Sequence, residues 1–297
     1  MKWLANQGYV LMAITALMWS GNAVIGRAVH ETLPPIGLGF WRWMVALPVF
    51  VVLAWPHFRR EWPLVRRHWP MLLLLAFLSI TVYNTFSYIG LNTTTAINML
   101  LINTARPVVI VFLSYLFFRE RVTLLQAAGF ALALLGTLTI LARGNFNLFG
   151  GVQFIAGDLW VVAATVGWAL YTVLYRKRPP IHATNLMLVT IVMGMAIMLP
   201  FYLWETFYIR PVPLVSQTYW SIAYLGLIDG VFGYLAFNRM VELPGANRAG
   251  LTSYIVPIIG TSLAIVFLGE EFHPFQVAGI GLILIGVVFA NGKRGLR

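Results

Sequence analysis

The chain has 297 residues, of which 60% are apolar or aromatic and only 10% are charged. An ordinary soluble domain carries about 25% charged residues, so this composition excludes a soluble globular protein, and the high apolar content excludes intrinsic disorder. Cysteine is absent, which excludes disulfide scaffolds, cysteine-ligated metal sites and thiol catalysis. The net charge of +11 would suggest nucleic-acid binding in a soluble protein, but here it must first be compared with membrane topology.

Ten apolar segments follow one another along the chain, each about long enough to cross roughly 30 Å of hydrocarbon as a helix. Continuous apolar runs such as Met71–Leu75 favour helices over the alternating strands of a membrane β-barrel. The first segment lacks a small-residue cleavage site, so we expect it to be retained and not removed as a signal peptide. The predicted segments are 8–28, 36–55, 70–90, 95–118, 123–142, 157–176, 183–204, 218–238, 246–268 and 274–291, and the longest connections are 56–69, 143–156 and 205–217.

The distribution of lysine and arginine predicts the orientation. If both termini and the even-numbered loops lie on one side, that side holds 15 of the 20 basic residues and the other side holds three. The positive-inside rule then places both termini in the cytoplasm, which requires an even number of spans. The 15 residues are Lys2, Arg59, Arg60, Arg66, Arg67, Arg119, Arg121, Arg176, Lys177, Arg178, Arg239, Arg248, Lys293, Arg294 and Arg297; the three are Arg27, Arg143 and Arg210.

The two halves of the chain are similar in sequence. Five segments per half is an odd number, so the second half would enter the membrane from the opposite side. Residues 1–145 and 150–297 are therefore predicted to be inverted repeats with a substrate site between them near the midplane. The matching pairs are Ala96/Ala246, Pro107/Pro257, Glu120/Glu270, Gln126/Gln276, Ala128/Ala278, Gly129/Gly279 and Gly136/Gly286 at an offset of 150, Trp19/Trp168 at 149, and Phe86-Ser87-Tyr88 with Phe232-Gly233-Tyr234 at 146.

Motifs in both halves resemble those of the EamA family in the drug/metabolite transporter superfamily. The run from Ala16 to Asn22 looks like the family's Trp-small-x-Asn motif, and Arg42 stands where the family usually carries an arginine. The stretch from Arg106-Pro107 to Gly129 resembles the family's Pro, Glu-Arg and Gly pattern, and the stretch from Pro257 through Glu270 to Gly279 repeats it. The resemblance covers nearly the whole chain and implies a ten-helix, inverted-repeat carrier. The aromatic-rich segments look most like YddG-type amino-acid exporters.

Three charged residues inside the predicted segments are candidates for function, because a charge there is costly. Asp229 would couple transport to protons or contact a substrate amino group, or it would be a structural carboxylate bonded to the backbone or to an arginine. Arg106 would bind a substrate carboxylate through its planar fork, or it would snorkel or pair with Asp229. For Arg42, which lies nearer a membrane edge, we expect structural pairing or snorkelling.

Polar and aromatic side chains outline a predicted cavity. These residue types suit amino-acid-sized amphipathic solutes, although they also form interfacial belts and interhelical hydrogen bonds. The candidate residues, besides the ions, are Trp19, Asn22, Tyr83, Ser87, Tyr88, Asn98, Asn103, Trp168, Tyr171, Tyr234, Asn238, Ser253 and Tyr254. Trp41, Trp43, Trp55, Trp62 and Trp69 lie near segment ends, and we expect them to form the belts.

Prolines and glycines suggest where helices bend and pack. Pro107 and Pro257 should kink their helices and are candidate hinges for alternating access, the alternative being static bends. The glycines of the fifth and tenth segments allow close helix packing or a dimer face. These are Gly129, Gly136, Gly279, Gly281 and Gly286.

The sequence thus predicts an all-α integral membrane protein with ten transmembrane helices in two inverted five-helix repeats, in the plasma (bacterial inner) membrane. It would be a secondary transporter that exports small metabolites, by resemblance aromatic and other amino acids, driven by protons or by the solute gradient. The expected partners are the lipid bilayer and a small-molecule substrate, with no nucleic acid. A monomer should suffice for transport.

Other classes of function stay open at this point. An intramembrane enzyme, a lipid- or nucleotide-sugar-type carrier, and a receptor or scaffold are the alternatives. The sequence has no Gly-Lys-Ser/Thr phosphate-binding loop and no His-Glu-x-x-His motif, so we expect no catalytic residues, no cofactor and no metal.

Overall fold

The computed structural model describes residues 7–119, 123–144, 155–242 and 247–291, and each regular element in these ranges is a helix. The helices are α1 (Gly8–Ala28), α2 (Pro35–Arg67), α3 (Trp69–Leu91), α4 (Ala96–Asn103), α5 (Arg106–Phe118), α6 (Leu124–Leu141), α7 (Ala156–Lys177), α8 (Ala183–Ile209), α9 (Ser216–Met240), α10 (Asn247–Leu268) and α11 (Pro274–Asn291). Several sequence-based assignments fall outside these ranges, namely those on Lys2, Glu120, Arg121, Ala246, Lys293, Arg294 and Arg297. The side chains of Arg248 and Ser253 also lie outside the described part of the structure.

Length and apolar composition identify the candidate membrane helices. Within the described ranges, seven helices are long and apolar enough to cross a membrane, and the bent pair α4 and α5 makes an eighth. Two shorter apolar stretches, Tyr254–Leu268 and Pro274–Phe289, lie in α10 and α11. The chain is therefore an all-helical, multi-pass membrane protein.

The helix α2 is longer than its sequence pattern predicts. It continues for 33 residues to Arg67, so the predicted loop at 56–69 is wrong. Pro56 and Pro63 each remove one backbone hydrogen bond, and the side chains along this part of the helix are largely exposed, with Trp55 at 65%. Proline therefore does not end α2 here, and Arg67 in the last turn complements the negative end of the helix dipole.

The two proline positions of the predicted hinges differ from each other. α4 ends at Asn103, α5 begins at Arg106, and the two helix axes differ by 41°. Pro107 occupies the first turn of α5, where its missing N–H would have no partner within the helix in any case. The predicted kink at Pro107 is thus a break between two helices, whereas Pro257 lies inside α10.

Helices α6 and α11 pack against each other through glycines. A Cβ atom on Gly136 would lie 2.5 Å from the carbonyl oxygen of Gly279, and one on Gly286 would lie 2.5 Å from the carbonyl oxygen of Gly129. The 150-residue offset that relates Gly129 to Gly279 and Gly136 to Gly286 exchanges these two contacts. These four glycines therefore pack within the chain, while Gly281 has open space around it.

Other local features also recur at the repeat offset. The side-chain Oε1 of Gln126 accepts a hydrogen bond from the backbone of Thr123 at 3.0 Å, and Gln276 does the same for His273 at 2.8 Å. A π-helical stretch interrupts both α3 and α9. Helix packing also corresponds between the two halves. α1 packs on α9 and α10, and its counterpart α7 packs on α3 and on the pair α4 and α5.

Contacts between loops sort the helix ends into two sets. At the Glu270 end, defined by the loops that follow α1, α3, α6, α8 and α10, Glu270 accepts hydrogen bonds from the backbone of Ala96 and Ile97. At the Glu61 end, defined by the loops that follow α2, α5 and α7, Glu61 accepts a hydrogen bond from the backbone of His182. Consecutive helices therefore run antiparallel, apart from the bent pair α4 and α5, around an apolar core in which Ile191 is fully buried.

Candidate functional site: a central cavity with three charged residues

A cavity of about 180 Å³ lies among helices of both halves of the chain. Helices α1 to α5 contribute residues from the first half, and α7 to α10 contribute residues from the second. Nine of the predicted site residues line it, namely Trp19, Asn22, Tyr83, Asn103, Arg106, Trp168, Asp229, Tyr234 and Pro257. Lining residues that the sequence did not single out for the cavity include Arg42, Trp43, Asn84, Met99 and Met187.

A buried ion pair joins α2 and α9 at this cavity. Nη2 of Arg42 donates to Oδ2 of Asp229 at 2.5 Å, and the two residues are only 3% and 5% exposed. The side-chain amide of Asn22, from α1, donates to the same Oδ2 at 2.7 Å. Asp229 therefore pairs with Arg42 and not with Arg106, which was one of the sequence-based alternatives.

Hydrogen bonds extend this ion pair into a closed ring that links four helices. Nη1 of Arg42 donates to Oδ1 of Asn84 at 3.0 Å and to the hydroxyl of Tyr88 at 2.7 Å. The Tyr88 hydroxyl in turn donates to Oδ1 of Asn22 at 3.3 Å, which closes the ring back to Asp229. The ring gives polar partners to the Asp229 carboxylate and to both terminal nitrogens of Arg42, while the buried Nε of Arg42 has no partner among the described groups.

Small residues in α9 allow the ion pair to form. Asp229 lies in the π-helical stretch Tyr224–Gly233. A Cβ atom on Gly226 would lie 2.6 Å from the carbonyl oxygen of Arg42, so only glycine permits this approach of the α9 backbone to α2. Gly230 follows Asp229 directly, and a Cβ atom on it would lie 3.6 Å from the ring of Trp43.

The third charged residue, Arg106, lies in the first turn of α5, directly after the break. Its Nη2 donates to Oδ1 of Asn103 at 2.8 Å and to the hydroxyl of Tyr83 at 3.3 Å. The guanidinium carbon lies 5.3 Å from the ring centroid of Tyr83 and 5.5 Å from that of Trp168, within the range of cation–π attraction. No carboxylate in the described parts of the chain lies within ion-pair distance of Arg106.

Two regions of the chain, residues 6–142 and 155–292, each match the model of the EamA-like transporter family. The chain belongs to this family. Its members are transporters, so this EamA-like protein is not an enzyme. The match confirms the sequence-based resemblance at the level of the family.

Similar proteins cover nearly the full length of this EamA-like transporter. It is 26% identical to an uncharacterized transporter of Archaeoglobus fulgidus over 97% of this chain and 99% of that protein. It is 24% identical to a probable amino-acid metabolite efflux pump of Escherichia coli over 96% of this chain and 94% of that protein. A solved crystal structure of a protein 21% identical in sequence has the same fold, with a TM-score of 0.61 and 96% of each chain covered.

Three predicted site residues of this transporter lie beside the cavity and contact its lining. Tyr88 belongs to the hydrogen-bonded ring described above. Tyr171 lies with its ring centroid 5.1 Å from that of Trp168. Asn238 hydrogen-bonds the hydroxyl of the lining residue Tyr234. These three residues support the lining and do not form it.

The remaining predicted site residues lie elsewhere. Asn98 lies at the Glu270 end, where it donates to Asp158 at 3.3 Å and accepts from Gln276 at 2.6 Å. Ser87 is buried, and its hydroxyl has no partner among the described groups. Tyr254 packs against the apolar core. Spacing along a helix did not distinguish these positions from lining ones, because helix rotation decides which face meets the cavity.

The tryptophan at position 43 does not belong to an interfacial belt, contrary to the sequence-based expectation. It is 5% exposed and lies under the Arg42 guanidinium, whose carbon is 4.8 Å from the ring centroid. The other four expected belt residues are exposed at 36–65%, namely Trp41, Trp55, Trp62 and Trp69. Two features could have indicated that Trp43 is buried, namely its position well inside α2 and its place next to Arg42.

Proposed function

We propose that this chain is a secondary transporter that moves small metabolites outward through the central cavity by alternating access. The observation that carries the proposal is the cavity itself, where an arginine with no carboxylate partner among the described residues lies among aromatic side chains between the two halves. Such sites at the interface of repeats are where secondary transporters bind their solutes. Membership of the EamA-like transporter family supports the same function.

The proposed architecture is ten transmembrane helices in two inverted repeats, 1–145 and 150–297. The two family matches, the exchanged glycine contacts between α6 and α11, and the paired helix caps of Gln126 and Gln276 support it. The bias of lysine and arginine supports cytoplasmic termini, in the plasma (bacterial inner) membrane. In this arrangement the α4–α5 break before Pro107 and the Pro257 position in α10 are the hinges.

Amino acids are the proposed solutes. Tyrosine and tryptophan side chains offer flat apolar contact together with one hydrogen-bonding atom, which suits solutes of this size and mixed polarity. Trp19, Tyr83, Trp168 and Tyr234 provide such surfaces in the cavity. The probable amino-acid metabolite efflux pump of Escherichia coli, which is similar to this chain over nearly its whole length, supports both this class of solute and export.

Counterflow in proteoliposomes tests the function. The purified protein is reconstituted in liposomes loaded with one unlabelled amino acid, and uptake of the radiolabelled form is measured for a panel of amino acids. We expect saturable exchange of some members, loss of exchange in Asn103→Ala at the cavity, and unchanged exchange in Arg60→Gln on the surface. Absence of saturable exchange across the panel would contradict amino-acid transport, and full exchange by Asn103→Ala would contradict the cavity as the site.

A further inference from the structure

The cavity carries one positive charge that the described side chains do not balance. Its charged lining residues in the described parts of the chain are Arg42, Asp229 and Arg106. Arg42 and Asp229 neutralise each other at 2.5 Å. Arg106 has only uncharged partners, the amide oxygen of Asn103 and the hydroxyl of Tyr83.

An unbalanced guanidinium is expensive in a cavity surrounded by apolar helices. A charge partly removed from water without a counter-ion is destabilised, and this cost is recovered when an anionic partner binds. Both hydrogen bonds of Arg106 to described groups come from Nη2. The planar fork of arginine matches a carboxylate with two parallel hydrogen bonds, so a carboxylate is the partner that fits the guanidinium of Arg106.

The guanidinium is also held in place before a ligand arrives. Asn103, which accepts a hydrogen bond from Arg106, is itself fixed by the hydroxyl of Thr165 at 2.9 Å. The rings of Tyr83 and Trp168, whose centroids are 4.6 Å apart, both contact the guanidinium. Such preorganisation lowers the entropy that binding must cost.

We propose that Arg106 is the carboxylate receptor of the transport site, and that the protein selects solutes by their carboxylate group. Arg42 does not serve this role, because Asp229, Asn84 and Tyr88 already occupy both of its terminal nitrogens. The inference rests on the proposed transport through this cavity. It adds which chemical group of the solute is recognised and which side chain recognises it.

Competition between acids and amides tests the assignment. Exchange of radiolabelled L-phenylalanine, L-leucine and L-threonine is measured in proteoliposomes against unlabelled competitors, each amino acid being compared with its own carboxamide. In the wild type and in the surface control Arg60→Gln, we expect the acid to compete about 10- to 100-fold more strongly than the amide, the range of a charge-assisted hydrogen bond. In Arg106→Gln the preference should fall to within about threefold, and in Arg106→Lys, which lacks the planar fork, to an intermediate value.

The acid-to-amide ratio is taken within each variant, so it does not depend on the fraction of protein that reconstitutes. Equal competition by acids and amides in the wild type overturns the inference while leaving transport intact. A wild-type ratio in whichever Arg106 variant reconstitutes also overturns it. Failure of the wild type to exchange any acid or amide overturns the proposed function, and this inference with it.

Discussion

At the scale of single residues, the Arg42–Asp229 pair determines how the cavity wall is held together. Each charge is buried, and each is compensated by the other and by neutral donors or acceptors from α1 and α3. The net stabilisation of such a pair is small, because desolvation offsets most of the attraction. Removal of one partner destabilises the fold far more, because the other charge then stays buried without a counter-ion.

The substitution Asp229→Asn is therefore expected to destabilise the protein strongly. We expect a loss of about 3–5 kcal/mol in unfolding free energy, because the Arg42 guanidinium stays buried without its counter-ion. Thermal or denaturant unfolding in detergent measures this loss. The double variant Arg42→Met with Asp229→Leu should recover a large part of it, and Glu31→Gln, at an exposed acid, serves as the control. An Asp229→Asn protein as stable as the parent would show that the pair is not required for the fold.

Sequence reasoning could find the ions of the site but not their partners. Asp229 and Arg106 stand out because charges within apolar segments are rare. The pairing of Asp229 with Arg42 spans 187 residues, so it depends on how α2 and α9 pack and not on any local pattern. The same packing turns Trp43 toward the arginine and away from the lipid, which proximity to a segment end could not indicate.

At the scale of helices, three acidic side chains bind the N-termini of helices distant in sequence. Glu205, at the end of α8, accepts from the backbone of Ile36 at 3.1 Å and of Gly37 at 2.6 Å, in the first turn of α2. Glu61, in the last part of α2, binds the start of α8 in return. The third acid, Glu270, follows α10 and accepts from the first backbone N–H groups of α4. Helix N-termini favour such negative charge because their N–H groups are unpaired and the helix dipole is positive there.

The Glu205 cap predicts a specific loss of stability. Because Glu205 is 3% exposed, Glu205→Gln keeps the shape of the side chain but removes its charge from the start of α2. We expect a loss of about 1–2 kcal/mol, the magnitude of a charged cap in a partly buried position. Thermal unfolding of this variant is compared with that of Glu271→Gln, an exposed acid. Equal melting temperatures for the two variants would show that the cap contributes nothing.

The glycine contact between α6 and α11 predicts opposite effects for two alanine substitutions. Gly136→Ala places a methyl group against the carbonyl oxygen of Gly279, so we expect a loss of about 1–3 kcal/mol from overpacking. Gly281→Ala meets no atom within 4 Å and should be neutral or stabilising by up to about 1 kcal/mol, because alanine favours the helix. Unfolding in detergent compares the two. Destabilisation by both substitutions to the same degree would argue against the close contact.

Helix positions were more predictable than helix ends. Apolar runs located α1, α6 and α8 within a few residues at their starts, because the length needed to cross a membrane is fixed. The extension of α2 through Pro56 and Pro63 was not predictable. At Pro107 the sequence predicted a kink, but not that the helix ends before Arg106 and a new one begins. A membrane helix tolerates proline wherever neighbouring groups replace the lost hydrogen bond. The sequence alone does not show which groups those neighbours are.

At the scale of the whole molecule, the loop contacts constrain the topology. Arg210 binds the carbonyl oxygen of Glu31, so the loops after α8 and α1 lie at the same end of the helix bundle as Glu270. Arg176 lies 4.6 Å from the ring of Phe118, which joins the loops after α7 and α5 at the opposite end. This alternation agrees with an even number of crossings, and the charge bias predicts that the Glu61 end faces the cytoplasm.

Cysteine labelling tests this orientation directly, because the chain has no cysteine of its own. Glu31→Cys places one thiol at the Glu270 end, and Arg60→Cys places one at the Glu61 end, both at exposed positions. With a membrane-impermeant maleimide added to intact cells, we expect Glu31→Cys to react and Arg60→Cys to stay unlabelled until the membrane is permeabilised. Labelling of Arg60→Cys alone in intact cells would show that the orientation is the opposite one. Labelling of both variants would contradict the placement of the two loops at opposite ends of the bundle. Only the expected pattern leaves the basic residues at the Glu61 end facing the cytoplasm.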